Sequence, residues 1–206
     1  MRFALLALVL LGGTAEPPPF TATVSRVTVA QLPHSWRPGC PAAPWQLRRV
    51  HLRHWGFDSR PHTGSIVVNA AAVRDITVVF RRLYDARVPI RRLRPIDVYG
   101  GNDDRSMAAD NTSAFNCRYA VAAGPRRWSA HAYGTAIDVN PRENPYVLGG
   151  KVRPPAGAAY LDRTRLRPGM AERGGVLVQA FAAVGWQWGG RWAASPDYQH
   201  FSADGG

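Results

Sequence analysis

Lysine is almost absent from this chain of 206 residues: Lys151 is the only one, so arginine supplies the rest of its 26 basic side chains. Against 14 acidic residues they leave a formal net charge of +12. So one-sided an arginine content reflects coding preference as readily as function. The basic residues are also dispersed rather than grouped with interleaved aromatics, which excludes a nucleic-acid partner. The charge still favours anionic surroundings such as a cell-wall polymer. Long apolar runs are missing as well. No stretch reaches the ~18 residues a membrane span requires, so a membrane-spanning protein is excluded. With only two cysteines, a cysteine-rich scaffold or a cysteine-ligated zinc module is excluded too. No internal repeat occurs. With 46% apolar and 19% charged residues, wholesale disorder is excluded, and the length suits one domain with a short appendage.

Three segments follow from the composition. Residues 1–15 open on Met1-Arg2, continue as a short apolar run from Phe3 to Leu11, and end on small residues with Gly13 and Ala15 at cleavage-site spacing. That is the form of a secretory signal peptide. Residues 16–45 form a proline-rich leader without helical periodicity, expected to run extended over the surface. Residues 46–206 are the expected catalytic domain. Export places Cys40 and Cys117 in an oxidising compartment, where an even pair is expected to form a disulfide, two buried thiols being the alternative. The protein is accordingly expected outside the cytoplasm, secreted or in the cell envelope, and as a monomer.

Local patterns give a coarse fold. Ser65 to Asn69 is a β-branched run, and Asn69 can cap a helix over 70–86 whose Ile76, Phe80 and Leu83 share a face. Residues 96–99, 115–122 and 135–140 read as strands. A second helix opens at Gly175 and closes at Gly185, and residues 186–188 and 198–201 read as short strands. Strands on either side of scattered helices indicate an α+β domain with a small, mostly antiparallel sheet.

Two histidine settings carry the chemistry: Ser129-Ala-His131-Ala-Tyr-Gly134-Thr-Ala-Ile-Asp138 and Asp197-Tyr-Gln-His200. Ligands of one zinc ion must converge to about 2 Å from it. His131 and Asp138 would lie ~10 Å apart along a continuous helix and ~23 Å apart along a straight strand. A reversal at Gly134, where positive φ costs nothing, removes that obstacle. Asp138 stands among apolar residues, where a carboxylate needs either a cation or backbone donors at a strand end. His200 supplies a third ligand and leaves one corner of a Zn²⁺ site open. Asp197 reaches the same side as His200 if Ser195-Pro196 starts one helical turn, and there it can serve as general base; the plain alternative is a turn carboxylate.

The ten-residue motif at 129–138, with Asp-x-x-His-Phe at 197–201, resembles the zinc D-alanyl-D-alanine carboxypeptidase family. That family takes in VanY-like carboxypeptidases and the L-alanyl-D-glutamate endopeptidases of phage endolysins. The resemblance spans roughly residues 57–201. It implies the fold shared with the Hedgehog signalling domain, one Zn²⁺ per chain, and cleavage of peptidoglycan stem peptides. It assigns His131, Asp138 and His200 to zinc and Asp197 to the general base, a position where the family often has Glu. It also likens residues 96–106 to a family strand ending in an Arg-Ser pair. Arg105 is therefore expected to hold a substrate carboxylate or the developing oxyanion, with Arg118 as second choice. Ser129 is expected to orient substrate or site, a simple turn hydroxyl being the alternative.

The competing reading is a non-catalytic zinc module of the same fold that binds wall or a protein partner; a base at Asp197 argues against it. Among the remaining histidines, His34 belongs to the leader, His51 and His54 read as surface residues, and His62 is a weak candidate for the cleft. Trp128, Trp186, Trp188 and Trp192 read as core and cleft walls.

Overall fold

The computed structural model of the protein describes residues 16–121 and 124–205; the expected signal segment lies outside the described residues. Strand β1 is Ala22–Arg26, β2 is Leu47–Trp55 and β3 is Pro61–Asn69, and they form one antiparallel sheet in the order β1-β2-β3. In β2 the fully buried Val50 and Leu52 flank the exposed His51, the two-residue period of a strand covered on one face. The cover is helix α1, Val73–Asp85, which packs against β2 through Ile76, Val79, Phe80 and Leu83. Asn69 starts this helical stretch as expected, its side chain accepting from the backbone N–H of Ala71. Burying each of these large side chains stabilises the fold by roughly 1.5–3 kcal/mol.

Helix α2, Asp103–Ala108, and the one-turn helix α3, Ala130–Tyr133, precede a second part of the chain. There β4 is Ala136–Asp138, the hairpin strands β5 and β6 are Tyr146–Leu148 and Lys151–Arg153, and α4 is Val176–Ala182. Strands β7, Gln187–Trp188, and β8, His200–Ser202, complete an antiparallel sheet in the order β4-β8-β7. Phe181 of α4 stacks on Phe201 of β8 with ring centres 4.1 Å apart, fixing that strand to the core that α1 shares. The architecture is α+β, with small antiparallel sheets and a few helices.

Three local expectations fail for identifiable reasons. Residues 96–99 form a 3-10 helix rather than a strand, closed by Gly100 in the left-handed region at φ 68°. Residues 115–121 make only a single bridge, Tyr119 opposite Trp128, because Cys117 is tied elsewhere. It is bonded to Cys40, and its N–H donates to the Ser35 carbonyl at 2.8 Å. The leader is also more than a surface wrap. It supplies β1, places Phe20 in the main core, and buries Val27, Leu32 and Ala42 in a second cluster with Leu47, Val67 and Phe115. Asp97 holds it down: one carboxylate oxygen accepts from the N–H groups of His34 and Ser35, both at 2.9 Å, and the other from the Ser35 hydroxyl at 2.6 Å.

Candidate metal centre and its cleft

Sheet register brings two of the motif residues together. Asp138 ends β4, His200 begins β8, and the two are direct partners in the antiparallel pair. Paired residues project their side chains to the same face, so a carboxylate and an imidazole meet without any loop to position them. His131 arrives from α3. Ser129 caps that turn by accepting from the His131 N–H at 3.3 Å, and Gly134, at φ 71°, reverses the chain into β4. The segment before α3 braces it: the Asn116 N–H donates to the His131 carbonyl at 3.2 Å, while Ser113 and Asp138 exchange backbone hydrogen bonds.

The result is a buried triad. His131 Nε2 lies 3.2 Å from one oxygen of Asp138 and 3.3 Å from His200 Nδ1, which is itself 3.2 Å from the other oxygen. Two ligand atoms at 2.0–2.1 Å from a tetrahedral ion lie about 3.3–3.4 Å apart, so these separations fit a single small divalent cation. The donor set, two imidazoles and a carboxylate, is one that zinc accepts. Among the described residues, this is the one group of three or more such side chains that could hold a metal ion.

Electrostatics follow the burial. Without an ion, desolvation alone would raise the Asp138 carboxyl, but His131 and His200 outweigh it and hold it well below the usual carboxylate range. Burial likewise works to lower His131, and the Asp138 charge reverses this and leaves it raised. Asp197 behaves oppositely. Burial first, and the Asp138 charge second, push its carboxyl up to about 7, and one of its oxygens is buried without a hydrogen-bond partner.

Asp197 reaches this position differently from the expected helical turn. It forms a bridge with Tyr146 of the β5–β6 hairpin, and two bends carry the chain from it to His200. Its N–H donates to the Gly189 carbonyl at 3.1 Å, and a Cβ on Gly189 would come within 2.9 Å of the Asp197 backbone oxygen and 3.2 Å of the His200 Cβ. Only glycine allows that approach.

A cleft opens over the triad, with Asp197, Ser129, Arg118, Trp128 and Trp192 on its walls. Arg118, the second choice from sequence, lines it and is ion-paired with Asp103. Arg105 does not line it. It lies on α2, exposed, because the expected strand end is a helix there; Ser106 turns inward, its hydroxyl accepting from Asn111 at 3.0 Å, and Arg105 turns outward. No leader residue lines the cleft, although Arg37 lies over the ring of the wall residue Trp128. Sequence reasoning missed Arg127, Arg153 and Tyr146, which also line it. The last two stand on the β5–β6 hairpin, whose signal was Gly149-Gly150, both at positive φ as a two-residue hairpin turn demands. Of the other histidines, His51 is exposed as expected; His54 is buried, a correction, and His62 pairs with Asp58 at 2.9 Å away from the cleft.

A three-sided ligand set with a carboxylate of raised pKa beside it, inside an open cleft, has the parts of a metal-dependent hydrolase. Residues 123–203 match the family model described as D-alanyl-D-alanine carboxypeptidase, which bears out the resemblance read from the two motifs. The match takes in His131, Asp138, Asp197 and His200 and leaves Arg105 and Arg118 outside. No curated protein and no solved structure matches the chain.

Proposed function

We propose that the chain is an exported zinc peptidase that hydrolyses peptide bonds in peptidoglycan stem peptides, of the D-alanyl-D-alanine carboxypeptidase or L-alanyl-D-glutamate endopeptidase type. The observation that carries the reading is the convergence in one cleft of His131, Asp138 and His200 with Asp197, one of whose carboxylate oxygens is buried without a hydrogen-bond partner. The family match supports it. Residues 1–15 act as the signal peptide in this reading. The Cys40–Cys117 disulfide, and the lack of any described helix long and apolar enough to cross a membrane, fit an extracytoplasmic protein.

His131, Asp138 and His200 hold the ion, one per chain. A divalent ion there supplies Lewis acidity toward water and a peptide carbonyl. Asp197 takes the proton from the attacking water and delivers it to the leaving amine, a positioned carboxylate being able to serve as base and then as acid. Arg118 and Arg153 bind a carboxylate of the substrate, for which the planar guanidinium fork is well shaped. Trp128 and Trp192 form walls that position the peptide and limit solvent. Ser129 acts through His131, whose turn it caps.

The test is mass spectrometry of products from defined muropeptides, using the zinc-loaded protein and Asp197→Asn. The protein should release a single D-alanine or a whole stem fragment. Asp197→Asn should retain one zinc while turnover falls by about 10²–10⁴. Undiminished turnover in that variant, or no cleavage of any stem peptide by the zinc-loaded protein, would overturn the reading; zinc binding without cleavage is the outcome for the non-catalytic alternative.

A further inference from the structure

A second cavity, larger than the space over the triad, lies between β2, β3 and residues 91–98, and it shares no lining residue with the cleft. Its volume is about 470 Å³. Four arginines line it, Arg49, Arg91, Arg92 and Arg94, together with His51, His54 and His62. Asp97 is its one acidic lining residue, and both oxygens of that carboxylate are already occupied by His34 and Ser35 of the leader.

The four arginines are not equally engaged. Arg91 pairs with the buried Asp110 at 3.3 Å and Glu143 at 3.6 Å and lies over the Phe57 ring, so it is a fixed wall. Arg92 donates to the Ala109 carbonyl. Arg49 and Arg94 have no acidic partner among the described residues. The Arg49 Nε is moreover buried without any hydrogen-bond acceptor. A concave surface of predominantly one sign also focuses its field and raises the local concentration of oppositely charged ligand.

We infer that this cavity is a second binding site, for a phosphate-bearing anion held by Arg49 and Arg94. Phosphate is favoured over a single carboxylate because its several oxygens can accept from two forks at once, while the fixed Arg91 and Arg92 supply background charge. The site does not depend on the metal triad or on the peptidase reading. A free inorganic anion and a phosphodiester polymer present the same chemistry, and the experiment separates them.

The experiment is isothermal titration of the full chain with inorganic pyrophosphate, with a short poly(glycerol phosphate), and with poly-glutamate of matched charge. Pyrophosphate should bind at one site per chain. The double variant Arg49→Gln/Arg94→Gln should bind at least tenfold more weakly, whereas Arg165→Gln/Arg173→Gln, on exposed arginines outside the cavity, should change affinity less than twofold. Tighter binding of the polymer than of pyrophosphate assigns the site to a phosphodiester chain, and the reverse assigns it to a small anion. Equal losses in the two double variants, equal binding of poly-glutamate, or no binding of either phosphate probe would refute the site. Circular dichroism of both variants guards against misreading an unfolded protein as a non-binder.

Discussion

His131 Nδ1 lies 2.7 Å from the carbonyl oxygen of Ala114. A carbonyl only accepts, so Nδ1 carries a proton, and Nε2 is the nitrogen left facing Asp138 and His200, able to bind a metal ion once its own proton is displaced. Metal-ligating histidines commonly have their second nitrogen fixed in this way. Replacing His131 by Ala removes a ligand together with its support. The variant should lose metal affinity by more than about 100-fold, beyond the usual cost of disturbing a supporting contact alone. Zinc content after dialysis against a weak chelator checks this; one retained equivalent would remove His131 from the ligand set.

Gly134 makes the approach of His131 to β4 possible. At φ 71° it occupies the left-handed region, and a Cβ there would lie 2.6 Å from the backbone nitrogen of Asn69, whose N–H donates to the Gly134 carbonyl. Gly134→Ala therefore meets both conformational strain, about 1–2 kcal/mol by itself, and a backbone clash that no side chain can relieve. Urea unfolding should show at least that loss, with metal affinity reduced as well. A neutral substitution would mean that the turn is far more pliable than its contacts allow.

The site was more legible in the sequence than the fold around it. Glycine between a histidine and an aspartate, and a second histidine far downstream, are chemical signals that survive without knowledge of packing. Strand β2 left no such trace: Leu47, Val50, Leu52 and Trp55 mix spacings of two and three, so neither periodicity prevails, and arginine and histidine fill the gaps. Arg105 was misplaced because an Asp-Val-Tyr-Gly-Gly stretch reads as a strand and its end, whereas Asp97 and Gly100 close a tight turn there. Arg153 was overlooked because its nearness to Asp197 is set by pairing between the hairpin and residues 196–198, a long-range contact that local pattern does not encode.

Glu143 supplies a pH dependence separate from the metal centre. Its carboxylate is fully buried beside Asp110, faces Arg91, and accepts from the Tyr160 hydroxyl at 3.3 Å. Burial, and then the Asp110 charge, push it up to about 7. A carboxyl whose folded pKa is raised favours the folded state in its protonated form. That contribution is complete below the unfolded value near 4.5 and is lost as pH rises through 7. Urea midpoints of the protein should therefore decline between pH 5 and 7 more steeply than those of Glu143→Gln. Parallel profiles for the two would assign the decline to other groups.

The Cys40–Cys117 bond joins residues 77 apart, and the residue after Cys117 is Arg118 of the cleft wall. In the chain-entropy account a loop of that length stabilises the fold by about 4–5 kcal/mol. Cys40→Ala/Cys117→Ala should lower the unfolding free energy by about that amount, less whatever residual structure the unfolded chain retains. The functional consequence follows from position. The Cys117 carbonyl accepts from Arg37, and its N–H donates to Ser35, so these leader contacts still hold the segment once the bond is gone. They hold it more loosely, and Arg118 with it. If Arg118 binds substrate, the double variant should show a raised KM for stem peptides; because Asn116, next to Cys117, also braces His131, zinc content is measured alongside, and any fall in kcat should follow lost zinc. A fall in kcat at constant KM and full zinc content would instead place Arg118 in the chemical step.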